Sequence, residues 1–284
     1  MDDSILVGID GSIASRAAIA WAIERARGIR ADVSLLFVVD DEWGTISDRD
    51  LGELRATAEH IAERELEFAR EQAGAVSVTA GIAMGAPMLT LAAEASAFES
   101  VVIGTHKSGS FHGHALGSRG LQLAAMAPVP TAIVPVSASG GRSGVAVGIG
   151  DEPGWIEPVR FAAHEAVRLE ERLMLIRSEG PDSTNDERAL GIVRELPETS
   201  ELSAGIVVRR STSPAGETLA SVSRRAMLTV NGRPTAPGAH GYRPLGRTNS
   251  DVLMNAGGPV MIVPFAVAVS QLPGGSEFSV RSAG

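Results

Sequence analysis

The chain has 284 residues, room for two domains of ordinary size, and its 44% hydrophobic but only 4% aromatic content points to cores packed from Ala, Val, Ile and Leu. A formal net charge of −9 argues against general nucleic-acid binding, which draws on clustered Lys and Arg, and the absence of cysteine excludes disulfides, thiolate metal sites and cysteine nucleophiles. The longest apolar run, Pro259 to Val269, is about half of the roughly 20 residues a membrane span requires, so no membrane partner is expected. The acidic start MDDSILVGID lacks the basic residues of a leader and enters a strand pattern at once, which makes the cytoplasm the expected compartment.

In chain order, Ser4 to Ile9 reads as a buried strand closed by Asp10, Gly11 and Ser12, with Ser12 as N-cap of a helix from about Ile13 to Arg27. Val33 to Val39 is a second buried strand, followed by a turn-rich acidic stretch and a long amphipathic helix from about Asp48 to Ala73. A strand near Val76 to Ile82, a helix from about Pro87 to Ala97, the strand Val101 to Ile103, a glycine loop, a helix to Met126 and the strand Thr131 to Val136 complete the first half. Continuous apolar strands separated by helices indicate a parallel sheet covered on both faces. After the linker-like SASGGRS the pattern restarts with Gly144 to Ile149. Helices then alternate with strands at Leu173 to Ile176, Ile206 to Val208, Leu228 to Val230 and Val260 to Val263. Pro87 precedes Ile103 by 16 residues as Pro214 precedes Val230, and Gly117 precedes Pro135 by 18 as Gly246 precedes Pro264. These matched spacings indicate a duplicated domain. The expected division is 1–138 and 144–270, with a linker at 139–143 and a flexible tail at 271–284.

The stretch VVIGTHKSGSFHGHALGSRG, Val101 to Gly120, has the composition of an anion cradle: strand, glycine-rich loop, then a hydroxyl at a helix start. It is not a Walker loop, because Gly109 is followed by Ser110 and Lys107 lies within the loop, and no Gly-x-Ser-x-Gly elbow occurs in the chain. Gly148, Gly150 and Gly154 spell a spaced variant of a dinucleotide fingerprint, with Arg177 ending the next strand where a cofactor phosphate is read, but Pro153 and the poor helix start at Trp155 count against it. His106, His112 and His114 follow no common metal-ligand spacing, and Asp40, Asp41 and Glu42 read as a solvated loop edge rather than a catalytic pair.

The glycine loop resembles the nucleotide loop of the universal stress protein family, written Gly, two residues, Gly, nine residues, Gly, then Ser or Thr. Gly104, Gly117 and Ser118 fall on that spacing, and Lys107 stands at the second glycine. VGIDGS, the GAP of Gly85 to Pro87, VVIG, the Gly117-Ser118 pair and APVPTAIVPV follow in family order, so the chain resembles two such domains in tandem. The resemblance implies an α/β fold of two doubly wound domains, each a five-stranded parallel sheet of order 3-2-1-4-5 with helices on both faces. It also implies a tendency to dimerise through the last strand and, in one subset of the family, binding of ATP, with magnesium as a companion ion. Within this chain the halves would form an internal pseudo-dimer; a homodimer and an unidentified protein partner are left open.

Carried over by position, Asp10 would approach the adenosine end, Val38 would pack on the adenine, Ile103, Gly104 and His106 would line the nucleotide, and Gly117 and Ser118 would cradle phosphates. Each has a plainer structural reading: Asp10 as a turn residue, Val38 as core, Gly117 and Ser118 as turn and N-cap. Lys107 and Arg119 depart from the family pattern and either contact phosphate or fill the pocket. In the second half Gly150 replaces Asp10, Asn231 takes the first glycine position, Pro234 and Pro237 enter a loop two residues longer, and Arg247 replaces Ser118. Proline offers no N–H to an anion, so this half is expected to be a degenerate partner without nucleotide. The two function classes are an adenine-nucleotide-binding stress or signalling module, not an ordinary enzyme, with slow ATP hydrolysis left open, and a nucleotide-free scaffold acting through protein contacts.

Overall fold

The computed structural model describes residues 4–41, 48–106, 118–136, 140–151, 154–178, 184–196, 205–235 and 245–266. The first half runs β1 (Ser4–Ile9), α1 (Ile13–Ile29), β2 (Asp32–Val39), α2 (Asp48–Ala73) and β3 (Val78–Met84). It continues with α3 (Pro87–Glu94), extended by a 3-10 turn over Ala95–Ala97, then β4 (Ser100–Thr105), α4 (Ser118–Met126) and β5 (Thr131–Pro135). The second half repeats the series: β6 (Val145–Gly148), α5 (Ile156–Arg168), β7 (Leu173–Ser178), α6 (Thr184–Glu195), β8 (Ile206–Ser211), α7 (Ala215–Ser223), β9 (Leu228–Thr235), α8 (Arg247–Asn255) and β10 (Val260–Ala266).

All ten strands form one sheet of order β3-β2-β1-β4-β5-β10-β9-β6-β7-β8. Each half is therefore a doubly wound sheet of order 3-2-1-4-5, as the resemblance implied. Burial on both faces explains the unbroken apolar strands. Ile5, Val7 and Leu35 pack under α1 and α2, and Val147 and Leu175 under α5 and α6. On the opposite face Leu6 and Val101 meet α3 and α4 through Leu91 and Leu123, and Ile176 and Ile262 meet α7 and α8 through Leu219 and Val252. Among the described residues no helix is long and apolar enough to cross a membrane.

The halves join where β5 and β10 pair antiparallel, with Ala132 opposite Met261. The last-strand edge offered for dimerisation is thus consumed within the chain, and a homodimer would have to use another surface. Behind this seam α1 meets α5. Arg25 and Glu165, both nearly fully buried, form an ion pair there, and Arg25 Nη2 also reaches Glu99 Oε1 at 2.9 Å. Burial opposes the charge on Arg25, but the carboxylates of Glu165 and Glu99 outweigh it and the net shift of its pKa is upward. Linker residues are tied down as well: Ser143 N donates to Arg225 O at 2.8 Å and Arg142 Nη2 to Gly257 O at 2.7 Å. The expected tail at 271–284 lies outside the described residues.

Strand register shifts the correspondence between the two halves at β9 by one residue from the expected one. Ile5 pairs with Ser100 and Val145 with Leu228, so β4 and β9 superpose with Ile103 matching Asn231 and Gly104 matching Gly232. Gly232, not Asn231, holds the first glycine position, and the following loop is one residue longer than its counterpart, not two. The slip comes from the helix before the strand. Pro87 is the first residue of α3, whereas Pro214 is the N-cap of α7, one position earlier in the helix. The two prolines are therefore not equivalent positions, and Ala215 is the counterpart of Pro87.

Candidate functional site

The carboxyl ends of β1 and β4 diverge at the point where strand order reverses, since β1 connects outward to β2 and β4 to β5. A cavity of about 530 Å³ opens there, lined by Gly8, Ile9 and Asp10 of the β1 end, Leu36 to Asp40 of the β2 end, and Ile103 and Gly104 of β4. Ser15 of α1, Leu54, Thr57 and Ala58 of α2, Pro87, Met88 and Leu91 of α3, and Arg119 of α4 complete it.

The turn after β1 is built locally. Asp10 Oδ1 accepts the Ser12 N–H at 3.0 Å, Gly11 adopts φ +76, and Ser12 Oγ caps α1 by accepting the Ser15 N–H at 3.1 Å. From α2, Arg64 reaches Gly11 O at 3.4 Å and also holds the buried Glu65, which pairs with Arg16 Nε at 2.9 Å. This cluster fixes α2, and with it Leu54, Thr57 and Ala58, beside the turn.

Gly104 is required for a packing reason. A Cβ there would overlap the Ala14 carbonyl, so only glycine lets α1 begin against β4 at the cavity edge. At Gly8 a Cβ would meet Leu91 Cδ1 at 2.8 Å and Ile103 Cγ2 at 2.9 Å, which keeps the floor flat.

Of the residues singled out from sequence, Asp10, Val38, Ile103, Gly104 and Arg119 meet around this one cavity. Asp10 and Arg119 are exposed, and Ile103 is buried. His106 is exposed just past β4 and does not line the cavity. Lys107 and Gly117 lie outside the described residues. Ser118 opens α4, and its side chain is also outside them. His112 and His114 lie outside too, and among the described residues no cluster of His, Asp and Glu is placed to hold a metal. Sequence reading missed the α2 and α3 walls, whose only signal is the amphipathic period of each helix.

The second half has a cavity in the corresponding place, of about 690 Å³. Register places Gly148 on Gly8, Arg177 on Phe37, Ser178 on Val38 and Asn231 on Ile103. Its wall is therefore polar where the first is apolar. Asn231 Nδ2 donates to Asn249 Oδ1, and Asn249 Nδ2 donates to Gly232 O at 2.9 Å. Arg177 Nη2 reaches Asp151 Oδ1 at 3.0 Å, so the fingerprint-like segment is occupied by an ion pair. Arg233 sends Nη2 across the seam to Ala127 O at 2.6 Å, at the carboxyl end of α4. Burial pushes the Arg233 guanidinium's pKa down, and no carboxylate among the described residues pairs with it.

A doubly wound sheet with a cleft at its switch point defines a class of small-ligand-binding α/β proteins. Residues 1–135 match the model of the universal stress protein family. A universal stress protein from Archaeoglobus fulgidus DSM 4304 has the same fold over nearly the whole chain. It is 16% identical, covers 92% of this chain and 96% of its own, and superposes with a TM-score of 0.74. A functionally unknown protein from Pseudomonas aeruginosa PAO1, also 16% identical, covers 93% of this chain and 92% of its own with a TM-score of 0.54. At this identity the likeness is one of fold.

Proposed function

We propose that the first half is an adenine-nucleotide-binding module of the universal stress protein type, acting in stress response or signalling through the bound nucleotide rather than as a catalyst. The observation that carries this reading is the lining of the first cavity, which combines buried and half-buried apolar residues with the exposed Asp10 and Arg119. Leu36, Val38, Met88, Leu91 and Ile103 offer a base-sized apolar wall, Asp10 offers a carboxylate oxygen to ribose hydroxyls, and Arg119 stands at the start of α4 where phosphates would lie. ATP is the nucleotide the resemblance implies, and magnesium would accompany its phosphates. The same comparison supports a second half that takes no adenine, because Asn231 and Ser178 replace the apolar wall.

The scaffold reading has one observation of its own. Ile13, Leu89, Leu54 and Met84 are 72%, 57%, 42% and 39% exposed, and all sit at the carboxyl end of the first half-sheet, an apolar rim suited to a protein partner. Mass spectrometry of small molecules released on denaturing the purified chain, beside a Ser118→Arg variant that copies Arg247, separates the readings. An adenine nucleotide released from the native chain and missing from the variant supports the nucleotide module. A native chain that releases none, and binds none on titration with ATP and magnesium, leaves the scaffold.

A further inference from the structure

The second cavity is more than a degraded copy of the first. Arg177, 5% exposed, lines it, and among the described residues its Nη1 has no hydrogen-bond partner, while its Nε lies 3.7 Å from Asp186 Oδ1, an ion-pair distance outside hydrogen-bond range. Asp186 is already engaged by Arg210 at 2.8 Å and Asp151 by Asn185 at 2.8 Å, so neither carboxylate depends on Arg177 alone. Arg233, 7% exposed, also lines the cavity, and among the described residues neither its Nε nor Ser178 Oγ beside Arg177 has a partner. Unmatched guanidinium N–H groups at this depth are costly unless something accepts from them.

Backbone donors point the same way. Gly246 caps α8 without a side-chain hydrogen bond, so the first N–H groups of that helix open at Arg247, Thr248 and Asn249, all of which line the cavity. The charged lining consists of Arg177, Arg233 and Arg247 against Asp151, whereas the first cavity has Asp10 and Asp40 against Arg119. Beside these donors the half-buried Asn231 lines the cavity with an amide suited to a hydroxyl.

We propose that the second cavity is a separate binding site for a small hydroxylated oxyanion, a phosphate monoester or a carboxylate, held by Arg177, Arg233, Ser178 and the start of α8. The full-length chain, labelled with ¹⁵N, is titrated with inorganic phosphate, then with glycerol phosphate and glycerate, while the amides of Ser178, Asn231, Thr248 and Asn249 are followed. Saturable shifts at these amides are expected, with those of Val38 and Ile103 unmoved. Arg177→Phe, which copies Phe37, should weaken binding by about tenfold or more, and Arg177→Lys by less, because a forked donor is lost while the charge is kept.

Tighter binding of glycerol phosphate assigns a phosphate ester, and tighter binding of glycerate assigns a carboxylate. Should Arg177→Phe fail to fold, Arg247→Pro decides. It removes one N–H and one charge at a position where proline suits a helix, and it should weaken the same titration. Absence of saturable shifts with all three probes at millimolar concentration overturns the proposal. So do equal affinities in the native chain and the variants, and ATP moving these four amides more strongly than any of the probes.

Discussion

The two cavities of this chain are a controlled comparison: one architecture, one position at a switch point, two chemistries. Where β2 and β4 present Phe37, Val38 and Ile103, β7 and β9 present Arg177, Ser178 and Asn231. The backbone conditions are kept in both halves. Gly8 and Gly148 face Leu91 and Leu219, while Gly104 admits the α1 backbone and Gly232 the side chains of Phe265 and Pro158. The difference teaches that the fold constrains the glycines and the strand cores, while the last residues of each strand are free to set what the cleft accepts.

The glycines give the widest separation. Gly104→Ala drives a Cβ into the Ala14 carbonyl, which cannot move without α1, and should cost about 3 kcal/mol. Gly232→Ala meets only side chains, Phe265 Cε1 at 2.7 Å and Pro158 Cγ at 2.8 Å, and should cost about 1 kcal/mol. Urea unfolding of the two variants measures both, and equal costs would break the account of why β4 carries glycine at position 104. Exchanging the floor residues comes next. Asn231→Ile strands Asn249 Oδ1 and should lose about 2 kcal/mol, and Ile103→Asn should lose a similar amount by burying an unpartnered amide. Calorimetric titration should also show Ile103→Asn weakening nucleotide binding by about tenfold, or 1.4 kcal/mol.

Caps provide the smallest effects. Ser12→Ala removes the cap that accepts from Ser15 and should destabilise by about 1 kcal/mol in thermal unfolding. Gly246→Ser has open space for its Cβ and should stabilise α8 by a few tenths of a kcal/mol. The added hydroxyl would compete with any anion at that helix start, so the same variant should bind phosphate more weakly than the native chain.

The element series was legible because strands covered on both faces are largely apolar, and such runs stand out between amphipathic helices, whereas the sheet order came from the family resemblance. Part of the first cleft was legible through that resemblance, and the strand geometry accounts for it. Val38, Ile103 and Gly104 end strands, and strand ends at a switch point converge. The α2 and α3 walls were not, since Leu54 or Met88 differs from any other apolar helix residue only by what lies across from it. Register was lost at Asn231 because proline spacing marks helix starts, and α3 and α7 start one residue apart relative to their prolines. Nor does anything in Arg233's neighbourhood along the chain announce a contact with Ala127, more than 100 residues away.

The most direct test is the stoichiometry of nucleotide binding by calorimetric titration of the full chain with ATP and magnesium, repeated on Ile103→Asn and Asn231→Ile. The account predicts one nucleotide per chain, with binding weakened by the first substitution and unchanged by the second. Two nucleotides per chain, or one whose affinity depends on Asn231 and not on Ile103, would contradict it.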